Sequence, residues 1–429
     1  MSTAETYLSD EEIADFIGET KIAPQYFYGD EGREYGVCPF ITFYVYHHDE
    51  DFLPLCDKMI DLHRRLETLI DSPYRKIWKD STQAWLKAGD KRLPADLRAE
   101  ARKAHQRGES YWLQATDMDS PTASARWAID ARVTTSSERC YTTLKITFRH
   151  TWYMDNRETW RRFVRDCLAI LEPEQCYSGF EIGTTGAGVL GCYESDVMER
   201  ICADYFYGLD IDHPGDMGFQ YHRNENGWVN VSRLGAGLRT PTWCFLLSPY
   251  WFDKLGLDEL KLYEELNDSR IHIEALPRGS DGRTSYWVRL GELDLYPVDD
   301  GVPELPALAS RLIRPVRCDD LNLLSLDPWD DDPNPRFDFT STPRWMARFD
   351  AESDWPSADA RQPKKPSPPP VPSAAPTLSA RPGAPCPRDG DWFAVHLGGK
   401  TVRMKAGEPM PGPERGPSGT VIWYFKESS

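Results

Sequence analysis

The sequence lacks a continuous apolar run long enough to span a bilayer. Its first residues, "MSTAETYLSDEEIADFIGE", have neither the basic region nor the apolar core of a signal peptide. Both absences predict a cytoplasmic protein that does not insert into membranes. The 10 cysteines are scattered singly with no CxxC pair. That distribution is typical of reduced, mostly buried thiols and argues against a zinc site or a disulfide framework.

Positive charge is scarce. The chain has 50 Lys and Arg residues against 68 Asp and Glu, which gives a net charge of −18. Proteins that bind nucleic acids or anionic membranes directly carry a basic footprint, so the composition argues against both classes. A basic protein partner is the natural complement, although acidity that serves only solubility accounts for the same balance.

Catalytic signatures are missing as well. The HExxH, GxSxG, Walker and kinase motifs do not occur. His47 and His48 are adjacent at the end of an expected strand, where their side chains point to opposite faces and cannot ligate one metal together. The carboxylates of Asp210, Asp212 and Asp216 lie among prolines and glycines, which favours a loop over a metal site. We therefore expect no catalytic residues, no metal and no cofactor, and we favour binding over catalysis.

One motif favours an enzyme. The segment "GAGVLG" matches the glycine fingerprint of dinucleotide-binding folds through Gly186, Gly188 and Gly191, and a helical pattern follows it. The preceding "GFEI" is short and half polar, and no second buried strand is evident near Asp210 and Asp212. These departures favour a structural loop whose glycines supply positive φ angles. A nucleotide-dependent enzyme that uses this loop remains an alternative.

The chain divides at a proline-rich tract. The chain has 429 residues, which is more than one hydrophobic core usually supports. It also has 15 Trp, 20 Tyr and 17 Phe, enough for large buried clusters. Residues 356–387 form a linker that cannot pack a core, and it separates a large domain, residues 1–355, from a small module, residues 388–429. In the module, aromatic and β-branched residues alternate around glycine turns, which predicts a small, all-β, SH3-like sheet.

Two strand-then-helix patterns recur in the large domain. One has a strand from Phe40 to Tyr46 and the other a strand from Leu144 to Phe148, each followed by a helix with one apolar face. The repetition leaves open two similar strand–helix subdomains. Alternating polar residues in both strands predict antiparallel or mixed sheets covered by helices on one face, and hence the α+β class. Residues 80–108 are predicted to be a polar helical segment that is exposed to solvent. Residues 300–355 are predicted to be acidic and irregular.

The most informative segment is "GAGLRTPTWCFLLSPYWFDKLG", residues 235–256. With "GFQYHRNENGWVNVSRLG" before it and "LDELKLYEELNDSRIHIEAL" after it, the chain resembles a family of type VI secretion immunity proteins for VRR-NUC effectors over roughly residues 35–300. The terminal module looks like a short module appended to such proteins. The resemblance implies a cytoplasmic antitoxin that binds a cognate effector toxin and has no chemistry of its own. The toxin would be a nuclease with a basic DNA groove and an acidic metal site.

The resemblance also separates fold residues from interface residues. Arg239, Trp243 and Trp251 match recurrent positions of the family, which suggests a role in the fold. A third hypothesis is that the protein is an adaptor of the secretion apparatus, which would dock through its proline-rich linker and terminal module. Charge and loop character select the candidate contacts with the toxin. They are Asp210, Asp212, Asp216, Glu225, Asp319, Asp320, Trp329, Asp330, Asp331 and Asp332.

Overall fold

A computed structural model describes most of the chain. The described residues are 9–22, 36–119, 127–135, 140–183, 193–212, 214, 221–224, 227–230, 237–318, 341–356, 378–394, 397, 400–413, 415–416 and 419–426. The chain forms two compact units, Met1–Arg361 and Gln362–Ser429, which divide within the proline-rich tract.

The first unit is built on a ten-stranded sheet in which each strand is antiparallel to its neighbours. The strands are β1 (Val37–His47), β2 (Lys76–Lys79), β3 (Ala84–Lys87), β4 (Tyr111–Thr116), β5 (Ala128–Val133), β6 (Cys140–Thr147), β7 (Gln175–Ile182), β10 (Cys244–Leu247), β11 (Ile271–Pro277) and β12 (Thr284–Leu290). Their spatial order is β11-β12-β10-β7-β1-β6-β5-β4-β2-β3. A separate hairpin consists of β8 (Tyr221–Asn224) and β9 (Gly227–Asn230).

Helices pack on both faces of this sheet. On one face lie α2 (Phe52–Leu69), α3 (Leu97–Arg107), α4 (His150–Asp155) and α5 (Arg157–Leu171). The opposite face carries α7 (Pro249–Lys254), α8 (Glu259–Glu265), α9 (Glu304–Ile313) and α10 (Ser341–Met346). Helices α1 (Asp10–Ile22) and α6 (Tyr193–Ala203) pack in a third cluster with Val37, Phe180 and Ile182, at one end of β1 and β7. The α+β class predicted from the sequence is confirmed. None of the helices within the described residues has the length and apolar character needed to cross a membrane.

The prediction of helices on one face only was wrong at the centre of the sheet. Ile41 and Phe43 of β1 pack under the first helical layer, and the intervening Thr42 and Tyr44 are also fully buried, on the opposite face. Both polar side chains hydrogen-bond to Asp212. Their alternation with apolar residues therefore reflects buried hydrogen bonding and does not mark a solvent face.

The two similar strand–helix patterns are neighbours in this single sheet. β1 pairs directly with β6, and α2 and α5 contribute to the same core. Their helical periodicity was sufficient to locate both helices, because the buried residues of α5 recur at the spacing of one helix face: Trp160, Phe163, Val164, Cys167, Leu168 and Leu171.

Two other segments differ from their predictions. Residues 80–108 include strand β3, which pairs with β2 through Trp78 and Trp85, before α3 begins. The segment predicted to be acidic and irregular, residues 300–355, contains α9 and α10. Helix α9 buries Leu305, Leu312 and Ile313 on one face. Dense charge elsewhere in that segment obscured its short apolar periodicity.

The second unit has its own core. Its sheet has the order β13-β18-β14-β15, with β13 (Ser379–Ala380), β14 (Gly390–Ala394), β15 (Lys400–Met404) and β18 (Trp423–Lys426). A small hairpin joins β16 (Arg415–Gly416) to β17 (Gly419–Thr420). Trp392 and Trp423 are almost completely buried in the core of this unit. Strand β13 lies inside the predicted linker, so the folded module begins before residue 388.

Candidate functional site

A buried ionic network lies where β1, β6 and β7 meet the segments that follow α6 and precede β10. Asp212 is at its centre: its Oδ1 accepts hydrogen bonds from Tyr44 Oη at 2.8 Å and from Arg239 Nη1 at 2.6 Å. Its Oδ2 accepts from Thr42 Oγ1 at 2.5 Å and lies 3.4 Å from Lys145 Nζ. Two cations and two hydroxyls thus satisfy one carboxylate that has no exposed surface.

Arg239 is held from several directions. Its Nη1 also donates to the carbonyl of Ile211 at 3.1 Å, and its guanidinium carbon lies 4.4 Å from the ring centroid of Tyr177. The Arg239 backbone N–H donates to Tyr177 Oη at 3.0 Å. A planar guanidinium can stack on a ring and pair with a carboxylate at once, which an ammonium group cannot do equally well. The segment "GLRTPTW" therefore supplies a structural arginine.

The charges in this network control its protonation. Burial by itself would raise the pKa of Asp212, but the charges of Arg239 and Lys145 hold that pKa well below its ordinary value. Burial raises the pKa of Glu181 to about 8, although Lys145 Nζ lies 2.7 Å from its Oε2. Asp212 is thus anionic throughout the neutral range, and the network depends on its two cations.

The network extends to Asp210 and Arg348. Asp210 Oδ1 lies 3.4 Å from Arg239 Nε, and burial raises the pKa of Asp210. Arg348 is completely buried, stacks 3.9 Å from the ring centroid of Trp345, and donates from Nε to the carbonyl of Tyr207 at 3.2 Å. Burial lowers the pKa of Arg348 to about 9. These contacts tie α10 to the segment after α6.

The structure contradicts the prediction that Asp210 and Asp212 face a partner. Both side chains are inaccessible, at 1% and 0% exposure. Their loop-like sequence context suggested exposure, whereas Arg239 and Lys145 compensate their burial from distant parts of the chain. The other predicted contacts lie outside the described residues, as do the three glycines of the fingerprint: Asp216, Glu225, Asp319, Asp320, Trp329, Asp330, Asp331, Asp332, Gly186, Gly188 and Gly191.

The elements around the glycine loop share part of a dinucleotide-binding arrangement. Strand β7 is buried along its whole length and α6 follows the loop, so the preceding strand is stronger than the sequence predicted. Leu209 then returns to form a parallel bridge with Phe180. However, β7 is antiparallel to both of its sheet neighbours. The carboxylates that would hold a ribose, Asp210 and Asp212, are committed to Arg239.

The two tryptophans assigned to the fold are buried. Trp243 is 4% exposed, donates from Nε1 to the carbonyl of Gly291 at 3.2 Å, and packs edge-on against Tyr153. Trp251 is 5% exposed and belongs to the core on the opposite face of the sheet. Together with the completely buried Arg239, they occupy positions that suit a structural role.

A second candidate site is an open groove beside α5. Strands β10, β12 and β11 extend beyond this helix, and two adjoining cavities of about 670 Å³ and 290 Å³ lie between helix and strands. Leu246, Leu276 and the half-buried Trp287 form much of the apolar floor. We call this feature the arginine groove because six arginines line it: Arg65, Arg161, Arg162, Arg165, Arg278 and Arg289.

Three carboxylates also line the arginine groove, and they pair with some of its cations. Arg165 lies 2.6 Å from Glu274, and Arg65 lies 3.3 Å from Asp166. Glu172 lies 3.8 Å from Arg278. Carboxylates just outside the groove pair with two of its arginines: Glu174 and Asp281 lie 3.7 Å from Arg278, and Glu292 lies 3.7 Å from Arg289. This groove was not predicted from the sequence, although "RETWRRFVR" places Arg161, Arg162 and Arg165 on the exposed side of a helix whose other side is apolar.

Comparisons with known proteins establish similarity of fold. No family model matches the chain, and no curated protein does. Among solved structures, the fold is similar to that described as "Pseudomonas aeruginosa T6SS protein PA0821", with a TM-score of 0.61 and 15% sequence identity. The similarity covers 80% of this chain and 92% of that one. The chain therefore shares its architecture with a protein of the type VI secretion system.

Proposed function

We propose that this protein is an immunity protein of a type VI secretion system. It binds a cognate effector toxin in the cytoplasm and neutralises it, and it has no chemistry of its own. The observation that carries the proposal is the fold similarity to a T6SS protein over 92% of that protein's length. The segment "GAGLRTPTWCFLLSPYWFDKLG", which carries the resemblance to the immunity family, adds independent support.

The geometry suits a binding protein. The polar network around Asp212 is buried, and its charged groups pair with one another. Its role is therefore to hold the sheet and helices together. The arginine groove, by contrast, is open and has both an apolar floor and charged walls. Apolar area with charged groups around it is the usual composition of a protein interface.

The toxin that we propose is a nuclease of the VRR-NUC type, inhibited by occlusion of its active site or DNA groove. A basic DNA groove would complement the net charge of −18. Such complementarity would accelerate association and discriminate against wrong partners. The contacts proposed from sequence outside the described residues, such as Asp216 and Trp329, remain part of this proposal.

Coexpression tests the proposal. The effector encoded beside this gene is expressed in a sensitive host with the full chain, with an unrelated acidic protein, or alone. We expect survival only with the full chain, and a complex of the two proteins on gel filtration. Death in all three cases, with no complex, would contradict an immunity function.

The test also needs a control for simple loss of folding. Arg239→Ala should lose protection because the fold is damaged, and Arg311→Ala should protect fully. Arg311 is an exposed residue of α9 without an ion pair in the described part of the chain. Protection by an unfolded Arg239→Ala variant would show that survival does not depend on this fold.

A further inference from the structure

We infer that the arginine groove binds an acidic, extended segment of the effector, and that this contact is separate from the contacts made by the acidic surface. The inference rests on the proposed function, since it concerns the partner that an immunity protein would bind. It assigns a binding surface and the chemistry of the segment that occupies it.

The groove concentrates arginines in a chain whose net charge is −18. Five of its six arginines lie within 4 Å of at least one carboxylate, so the two on the exposed side of α5, Arg161 and Arg162, are the ones best placed to meet a partner. Arg161 and Arg162 are exposed on α5, and Arg162 has no ion pair within the residues that the structure describes. Arg161 has only a distant neighbour, Glu158 at 3.9 Å. Guanidinium groups at an open surface are suited to bidentate contacts with carboxylates, and Arg162 has no competing ion pair in the described part of the chain.

The floor of the groove favours a peptide. The half-buried Leu276 and Trp287 present apolar surface between the charged side chains, above the buried Leu246. A peptide segment can place apolar side chains on this floor and carboxylates on the arginines. A small anion such as phosphate would leave the apolar floor exposed to water, which gains no hydrophobic stabilisation.

The edge of the sheet beside the groove can pair with an extended chain. Strand β11 is at the edge of the described sheet. Its register with β12 is set by the hydrogen bond from the Arg278 N–H to the carbonyl of Arg283, at 2.8 Å. With that register, the backbone groups of Ile273 and Ala275 point away from β12. An added strand could bond to them while its side chains enter the groove, as in β-augmentation.

The net negative charge of the chain favours a protein partner over a nucleic acid. A duplex is uniformly anionic, so its flanks would be repelled by the acidic remainder of this protein within a Debye length of about 8 Å. A protein that combines a basic surface with one acidic segment matches both the acidic surface and the groove. Charge complementarity therefore selects an acidic segment on an otherwise basic effector.

Charge reversal at Arg161 and Arg162 is the direct test. The affinity of the purified full chain for the purified effector is measured for wild type, for the double variant Arg161→Glu/Arg162→Glu and for Arg311→Glu. Arg311 is the matched control, because it is an exposed helical arginine on the opposite face of the sheet. We expect the double variant to lose on the order of tenfold or more in affinity, and the control to stay within about twofold.

Four further measurements distinguish the possible occupants of the groove. Thermal unfolding should be unchanged in both variants, and Arg161→Gln/Arg162→Gln should show a smaller loss of affinity than the reversal. A short poly-glutamate peptide should bind the wild-type protein directly, in the absence of effector, and should bind the double variant at least about tenfold more weakly. Binding of duplex DNA that is lost in the double variant, without competition by poly-glutamate, would identify a nucleic-acid occupant and overturn the inference.

Failure of this inference can be distinguished from failure of the proposed function. If wild type and all variants bind the effector equally, the groove is not the contact surface, while the immunity function stands. If wild type does not bind the effector at all, the proposed function falls and the inference falls with it.

Discussion

Arg239 Nη1 and Asp212 Oδ1 lie 2.6 Å apart, and neither side chain has any exposed surface. The pair joins the segment before β10 to the segment after α6, with Lys145 of β6 and Tyr44 of β1 as further contacts of the carboxylate. Desolvating two charges is costly, and the cost is offset by the hydroxyls and the second cation around Asp212, by the stacking of Arg239 on Tyr177 and by the nearby charge of Asp210.

Removing Arg239 should destabilise the first unit severely. Arg239→Ala leaves Asp212 buried without its main cation, and loss of one member of a buried pair costs about 3–5 kcal/mol of unfolding free energy. Urea denaturation of Arg239→Ala and Arg311→Ala measures the effect. The second variant should stay within about 0.5 kcal/mol of wild type because Arg311 is exposed.

A double-variant cycle tests whether the pair acts as a unit. Asp212→Asn removes the charge that Arg239 neutralises, so Arg239→Met should cost less free energy in the Asp212→Asn background than in wild type. Equal costs in both backgrounds would show that the two side chains are not energetically coupled.

Replacing Gly208 and Gly18 by alanine should change the unfolding free energy in opposite directions. A Cβ on Gly208 would lie 2.7 Å from the carbonyl carbon of Leu295 and would contact the carbonyl oxygen of Asp294, both of which are backbone atoms. Gly208→Ala should therefore lower the unfolding free energy by about 1–3 kcal/mol. A Cβ on Gly18 of α1 would meet no described atom within 4 Å, so Gly18→Ala should raise it by about 0.5–1 kcal/mol. Denaturant unfolding of both variants checks the signs.

Buried His63 should make the protein less stable in mild acid. Burial, reinforced by the charge of Arg64, lowers the pKa of His63 to about 4 from 6.5. The unfolded chain therefore takes up a proton at higher pH than the folded one. The corresponding stability is complete above pH 6.5 and is lost as pH falls toward 4.

Replacing this histidine should remove that part of the pH dependence. Both ring nitrogens of His63 lack a hydrogen-bond partner among the described residues, so His63→Leu forfeits no hydrogen bond there. Between pH 7 and pH 5, the unfolding free energy of wild type should fall by roughly 2 kcal/mol more than that of His63→Leu. The same fall in both proteins would mean that the pKa of His63 is the same in the folded and unfolded chains.

Truncation at the boundary between the units should leave the first one intact. The second unit has a separate core around Trp392 and Trp423, and the division lies between Arg361 and Gln362. A chain that ends at Arg361 should keep the thermal unfolding temperature of the first unit and bind the effector as the full chain does. Loss of effector binding with unchanged unfolding would favour the adaptor hypothesis instead.

Local patterns in the sequence were sufficient to predict part of the fold. The strands and helices around Phe43 and Phe163 were predictable because apolar spacing along a single segment determines them. The short hairpin of β2 and β3 was missed because its two four-residue strands carry lysines at their ends and little periodicity. Its pairing depends on contacts with β4 that no local pattern encodes.

The candidate sites were harder to predict for the same reason. Asp210 and Asp212 have the sequence context of an exposed loop, and only the distant Arg239 and Lys145 explain their burial. An arginine between apolar stretches in "GAGLRTPTWCFLL" was a usable signal, since a buried guanidinium requires buried carboxylates. The arginine groove requires β11 and β12 to extend past α5, which is a tertiary relationship.

Titration of effector activity with this protein measures directly whether the protein binds and inhibits its cognate effector. The purified full chain is added in increasing amounts to the effector encoded beside its gene, and the toxic activity, nuclease activity in our proposal, is followed. We expect activity to fall to background at equimolar protein, with a stable complex on gel filtration. Full activity in the presence of excess protein, with no complex formed, would contradict it.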